Sequence, residues 1–258
     1  MARMAKIFKD LGKKRIIILL LLGFLLINSC EEQEGSCFSG SGEISGKLIM
    51  LSGFTTLVTY DIFDIDLVQD TVNYMVLEAG RNVIPWITID TSENALILGN
   101  ELPCRWSKGY PTPKVTLHFQ QLSKLDLKEP CTIVSKDTLS GSSLSVALWT
   151  GMIDLNLMLD YRSLGIGTSR NIAGKVTLSG KLESFRITGR GALAVEANGL
   201  MVKSVDAENN SIADFYLNVS NKITARLKNI GNIYCEGNPD EVNVQVKEDS
   251  GDLILVGN

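Results

Sequence analysis

From residue 43 onward, apolar and polar positions alternate with a period of two, the period of a β-strand. Residues 54–100 carry Leu57-Val58-Thr59, Ile62/Ile65/Leu67, Tyr74-Met75-Val76-Leu77, Trp86-Ile87-Thr88-Ile89 and Ala95-Leu96-Ile97-Leu98. From Val115 a tighter rhythm begins: Leu125/Leu127, Leu144/Val146/Leu148, Ile153/Leu155/Leu157, Leu164/Ile166, Val176/Leu178, Phe185/Ile187, Leu193/Val195 and Phe215/Leu217/Val219. Centres fall about ten residues apart, with Gly, Asn, Ser or Asp between them. No stretch after residue 30 has a helical period. Even spacing of short strands suits a sandwich, a barrel or a solenoid.

Three features favour the solenoid. The strands are very short. Two-residue hairpin signals are scarce, Asn198-Gly199 being the exception. Glycines recur beside the strands, at Gly165, Gly174, Gly180, Gly189, Gly191, Gly231 and Gly251. A coil of ~20 residues stacks on the next at ~4.8 Å, and only stacking buries its apolar edge. The expected fold is all-β: a single-stranded parallel β-helix over residues 43–258 with an N-terminal β capping region. Residues 125–258 suffice for roughly six or seven coils, and residues 43–110 are placed to cover one end. Residues 99–114 hold three of the six prolines and read as a long irregular crossing.

The start of the chain has another character. Arg3, Lys6, Lys9, Lys13, Lys14 and Arg15 face one acid, Asp10, and the apolar run Ile16–Ile27 follows. That run is shorter than the ~20 residues needed to span a bilayer, and reads with its basic flank as a signal peptide over residues 1–29. Ile27-Asn28-Ser29-Cys30 resembles the lipobox of bacterial lipoproteins. The resemblance implies that Cys30 becomes the first mature residue and holds the protein to the membrane through lipid. Residues 30–42, opening Glu31-Glu32-Gln33-Glu34, read as an acidic tether. The expected location is the outer membrane, on its periplasmic or cell-surface face.

Charge and composition narrow the chemistry. Removing residues 1–29 takes away six cations and one acid, so the net charge moves from −4 to −9. Nucleic acid is therefore not expected as a partner. The lone histidine, His118, cannot build a multi-His zinc site, and its place in an alternating strand suits a surface side chain. No CxxC pair occurs among Cys30, Cys37, Cys104, Cys131 and Cys235. With Cys30 lipidated, four thiols remain in an oxidising compartment, and Cys131 and Cys235 can be buried free thiols or a bridge.

The remaining motifs carry little chemistry. Asp61, Asp64 and Asp66 could bind calcium, but no DxDxDG loop follows, and a solvated strand face is the expected reading. Gly189-Arg190-Gly191-Ala192-Leu193-Ala194 matches a dinucleotide fingerprint on paper, but no helix follows, so its glycines read as tight corners. Asp154, Asp160, Arg162 and Arg170 could serve glycosidase or lyase chemistry if the fold gathered them. Trp86, Trp106, Tyr110 and Trp149 are the aromatics best suited to a glycan or protein contact.

Phe54-Thr55-Thr56-Leu57, Phe63-Asp64-Ile65-Asp66-Leu67-Val68-Gln69, Leu96-Ile97-Leu98, Gly151-Met152-Ile153-Asp154-Leu155 and the terminal Gly231–Pro239 segment together resemble the head GIN domain family. That family carries the label "putative auto-transporter adhesin". Its closing G-x-[IV]-x-Y-x-G-x-P pattern is displaced here by one residue, Tyr234 following Ile233 directly. The resemblance implies a β-helical solenoid. One subgroup has Cys-Phe and Cys-Asn-Trp-x-Arg-Ser-Tyr where this chain has Cys37-Phe38 and Cys104-Arg105-Trp106-Ser107-Lys108-Gly109-Tyr110. It thereby implies a Cys37–Cys104 disulfide, while Lys108-Gly109 departs from Arg-Ser. The expectation is a lipid-anchored, non-catalytic envelope protein that binds a glycan or an envelope protein, with no metal or cofactor. Trp106, Tyr110 and Trp149 are its candidate contacts. The alternative is a carbohydrate-active lyase or hydrolase on a β-helix.

Overall fold

A computed structural model describes residues 40–103, 109–169 and 171–257. Residues 1–39, with the signal peptide, Cys30, Cys37 and most of the tether, lie outside the described residues, as do Cys104 and Trp106. Residues 40–258 form one compact unit.

The described chain is built of strands, with one 3₁₀ turn at Ile84–Trp86 and no α-helix. In chain order the first seven are β1 (Ile44–Met50), β2 (Thr56–Thr59), β3 (Phe63–Gln69), β4 (Tyr74–Gly80), β5 (Ile87–Ser92), β6 (Ala95–Asn100) and β7 (Lys114–Phe119). The stacked body follows: β8 (Lys124–Leu127), β9 (Cys131–Ser135), β10 (Leu139–Leu148), β11 (Ile153–Thr168), β12 (Ile172–Ser211), β13 (Phe215–Leu227), β14 (Ile233–Glu236), β15 (Glu241–Lys247) and β16 (Leu253–Leu255). Every pairing from β8 onward is parallel. The step between neighbours runs from 17 residues (Val202↔Val219) to 22 (Cys131↔Ile153). The result is a β-solenoid of about six turns, the fold the alternation predicts.

In-register parallel pairing forces like-facing residues into columns. Leu57, Leu125, Val146, Ile166 and Ile187 line up through successive coils and are all buried. On another wall Val115, Ile65, Ile133, Leu155 and Val176 do the same. Each such side chain contributes about 1.5–3 kcal/mol on burial. The polar residues between them, such as Asp154 and Asn156, point to solvent. A second period is written in the charges: opposite signs one coil apart meet across rungs. Lys175 pairs with Glu196 at 2.7 Å, Arg186 with Asp206 at 3.2 Å, and Lys228 with Glu208 at 3.2 Å.

The N-terminal end is wound out of order. The β2–β3 coil is flanked on both sides, β2 by β6 and β8, β3 by β7 and β9. The β6–β7 coil, later in sequence, therefore stacks outside the first one, and residues 120–123 step back over it. Antiparallel strands then close this end: β4 on β7, β1 on β4, and β5 on β6. This is the capping region expected from residues 43–110, although no strand pattern announced its order.

The two described cysteines are free and buried. Cys131 and Cys235 face the core, and burial pushes their thiols up to about 12 and about 11, respectively. The glycines of the paper dinucleotide motif sit at solenoid positions within β12. Gly191 has φ +82°, and a Cβ there would lie 2.5 Å from the Ile172 carbonyl oxygen.

Candidate binding groove

One side of the solenoid is formed by the short rungs Leu139–Gly141, Leu159–Tyr161 and Gly180–Leu182, paired in register. A groove of about 590 Å³ runs across them and on toward Met201, Lys203, Asn218 and Ser220. Its floor is Tyr161, whose hydroxyl donates to the Leu122 carbonyl oxygen at 2.9 Å. Burial pushes that phenol up to about 12, so it stays a neutral donor. Gly141 makes room for the ring: a Cβ at this position would sit 2.5 Å from it.

The walls carry charges one coil apart. Lys181 pairs with Asp160 at 3.1 Å, and Glu183 bridges Arg162 at 3.8 Å and Lys203 at 3.4 Å. These pairs are solvent-exposed, and exposed pairs are worth about 0–1 kcal/mol each. A ligand's charged or hydroxyl groups can displace them at small cost. Met201, 63% exposed, offers an apolar lip. Three cations and two acids thus line one trough whose backbone is fixed by rungs on both sides.

Of the candidates for glycosidase or lyase chemistry, Asp160 and Arg162 enter this groove. Asp154 lies on another wall in register with Lys175, and Arg170 lies outside the described residues. Lys181, Glu183 and Lys203 escaped the sequence reading. Their signal was available: opposite charges recur at one-coil spacing, as in Asp160/Lys181 and Glu183/Lys203.

The candidate aromatics stand elsewhere. Trp149 is 40% exposed, and its indole N–H donates to Asp126 Oδ1 at 2.6 Å. Lys128 Nζ lies 3.7 Å from the ring centroid, a cation–π contact that covers one face. Asp126 also receives Lys124 at 3.0 Å and Lys128 at 2.8 Å. Burial pushes this carboxyl up, but Lys128, Lys124 and the Trp149 N–H more than offset it, and its pKa falls below the ordinary value. Tyr110 lines a separate recess of about 330 Å³ with Ile62, Val83, Pro111 and Pro113. The structure does not bring Trp149 and Tyr110 together in one site.

Other polar clusters are structural. His118 lies 3.0 Å from Asp70 and stacks on Tyr74, centroids 4.0 Å apart. Asp66 is clasped by Lys136 at 2.9 Å and Lys114 at 3.2 Å. Among the described residues no group of three or more His, Cys, Asp or Glu side chains stands close enough to hold a metal ion. Tyr216 and Tyr234 stack at 4.9 Å on adjacent rungs as an aromatic ladder.

These features define a class: a β-solenoid scaffold with a long polar trough on one edge. The family follows from comparison. Residues 53–239 match the family described as "Putative auto-transporter adhesin, head GIN domain", and the chain belongs to it. A crystal structure of a "putative adhesin" from Bacteroides fragilis NCTC 9343 superposes with TM-score 0.75 at 18% identity, covering 83% of this chain and 97% of that one. A "putative adhesin" from Parabacteroides distasonis ATCC 8503 gives 0.64 at 14% identity, covering 84% and 98%. A "putative lipid binding protein" from the same organism gives 0.59 at 12% identity, covering 85% and 96%. At these identities the likeness is one of fold. No curated protein matches the chain.

Proposed function

We propose that this protein is a lipid-anchored binding module of the outer membrane, without catalytic activity, that takes a glycan or protein ligand along the Asp160–Lys203 groove. The observation that carries this reading is the groove itself. Five charged side chains on rigid rungs face one trough with an apolar lip, held only by three weak, exchangeable pairs that share Glu183 in two of them. Family membership and the adhesin descriptions of the similar structures support a role at the cell envelope. Anchoring rests on the lipobox-like Ile27–Cys30 segment.

Two experiments test this reading. The fragment 40–258 is screened against envelope glycans and envelope proteins, and hits are measured again with Arg162→Glu and Lys203→Glu. Loss of at least about tenfold in affinity is expected; ligands held equally by parent and both variants contradict the groove. Metabolic labelling with a palmitate analogue should mark the parent and not Cys30→Ser. A labelled Cys30→Ser protein, or an unlabelled parent, contradicts the anchor.

A second reading has one observation in its favour. Acids and cations converge in the groove, as lyase or hydrolase chemistry on a β-helix requires. Product release from envelope polysaccharides by the parent, lost in Glu183→Gln and Asp160→Asn, would replace the binding reading with the enzymatic one.

A further inference from the structure

The first strand of the compact unit turns an apolar face to solvent. β1 carries a single charge, Lys47, and pairs with β4 alone. Period-two alternation sends Ile49 to the core side, in register with buried Met75, and sends Ile44, Leu48 and Met50 outward. Those three are 59%, 63% and 65% exposed. Leu48 stands in register with Val76 and Met50 with Tyr74, both half-buried, so the apolar surface crosses two strands. The next strand, β7, interrupts it with Lys114, Thr116 and His118. Natural edge strands are ordinarily blunted by charge. A contiguous apolar patch with a polar rim marks a contact surface instead.

We propose that this face rests on the lipid surface to which the chain is tethered. The contact presupposes the lipid anchor at Cys30 proposed above, and adds to it the face of the domain that meets the bilayer. Chain length selects the occupant. The Gly40 carbonyl oxygen accepts from Asn82 Nδ2 at 3.0 Å, which fixes this point of the chain to the cap. Gly40 follows Cys30 by ten residues, and ten residues span at most ~36 Å. β1 begins four residues beyond Gly40, so its outer face comes to the bilayer with chain to spare. The other exposed apolar cluster, Val242, Val244 and Leu255, lies at the far end. From β4 to β16 is nine rungs, ~43 Å at ~4.8 Å per rung. A solenoid standing on that end would hold Gly40 beyond the tether's reach. A tether this short also keeps β1 at millimolar effective concentration against the surface. A few apolar side chains entering the headgroup–acyl boundary then suffice, although they are too few to recruit a free protein.

The test uses residues 30–258 with Cys37→Ser and Cys104→Ser, coupled through the Cys30 thiol to a maleimide headgroup in phosphatidylcholine vesicles. Chemical coupling supplies the anchor, so the outcome does not depend on lipidation in the cell, which palmitate labelling reports separately. The emission added by Leu48→Trp or by Met50→Trp should be quenched by at least about half when the phosphatidylcholine is brominated high in its acyl chains. The emission added by Ser145→Trp, exposed on another wall, should stay unquenched. Adding Met50→Glu to Leu48→Trp should abolish the quenching. Both positions are solvent-facing, and either tryptophan decides the matter if the other variant fails to fold. Emission at 48 and 50 that brominated lipid leaves untouched, as when β1 covers a second protein copy instead, would overturn the proposal. So would equal quenching at position 145, or quenching that survives Met50→Glu.

Discussion

Gly180 and Gly165 lie in the same solenoid, and substitution by alanine should move stability in opposite directions. Gly180 has φ +108°, and an added Cβ would stand 2.0 Å from the Leu159 carbonyl oxygen of the preceding rung. That oxygen is backbone and cannot swing away. A left-handed alanine costs about 1–3 kcal/mol, and forcing the rungs apart loses a ladder hydrogen bond worth about 1 kcal/mol. The expected destabilisation is about 3 kcal/mol. An added Cβ on Gly165 meets nothing within 4 Å, and its φ lies outside the left-handed region. There alanine restricts the unfolded chain and should add about 0.4–1 kcal/mol. Urea melts of the 40–258 unit should separate Gly180→Ala from Gly165→Ala by about 4 kcal/mol. In a domain of this size that corresponds to roughly 10 °C in Tm. A Gly180→Ala variant within about 0.5 kcal/mol of the parent would refute the stacked-rung geometry at that corner.

Three further predictions concern the polar features and the thiols. Asp126 has a depressed pKa in the folded protein, so its stabilisation is complete above the ordinary carboxylate value and is lost as pH falls through the native one. Trp149 emission, followed in a variant with Trp86 and Trp106 replaced by Phe, should therefore change only below about pH 4, and Asp126→Asn should abolish that transition. In the 40–258 unit carrying Cys104→Ser, Cys131 and Cys235, whose thiols are pushed up by burial, should stay unreactive to Ellman's reagent at pH 8 and react on unfolding; rapid reaction of that native variant would contradict their placement. In the ladder Arg186–Asp206–Arg226, Asp206→Asn should cost less than about 1 kcal/mol by urea melts; a loss above about 2 kcal/mol would show that the ladders contribute more than exposed pairs do.

Much of this architecture could be read before any coordinates. Alternation at Leu155/Leu157 or Val176/Leu178 marks inward positions because parallel rungs repeat the same side-chain direction coil after coil. The groove was half legible. Asp160 and Arg162 drew notice, but their partners Lys181 and Glu183 become visible only once the coil length is fixed near 20 residues. The order of the N-terminal coils was not legible, because Leu57 and Leu96 have the same apolar pattern whichever coil stacks outside. Trp149 looked like a free platform. Its partners, Asp126 one coil earlier and Lys128 beside it, lie more than twenty residues upstream, beyond any local pattern.

Successive coils stack along one axis, and distances down an outward column measure this directly. Asp64, Thr132, Asp154 and Lys175 share such a column, and the next rungs carry Glu196, Tyr216, Tyr234 and Ile254. Spin labels at position 64 paired with 175, 216 or 254 are three, five or seven coils apart in this order. Double electron–electron resonance should give separations near ~14, ~24 and ~34 Å, rising by ~4.8 Å per coil. Separations that fail to grow with coil number would contradict the solenoid.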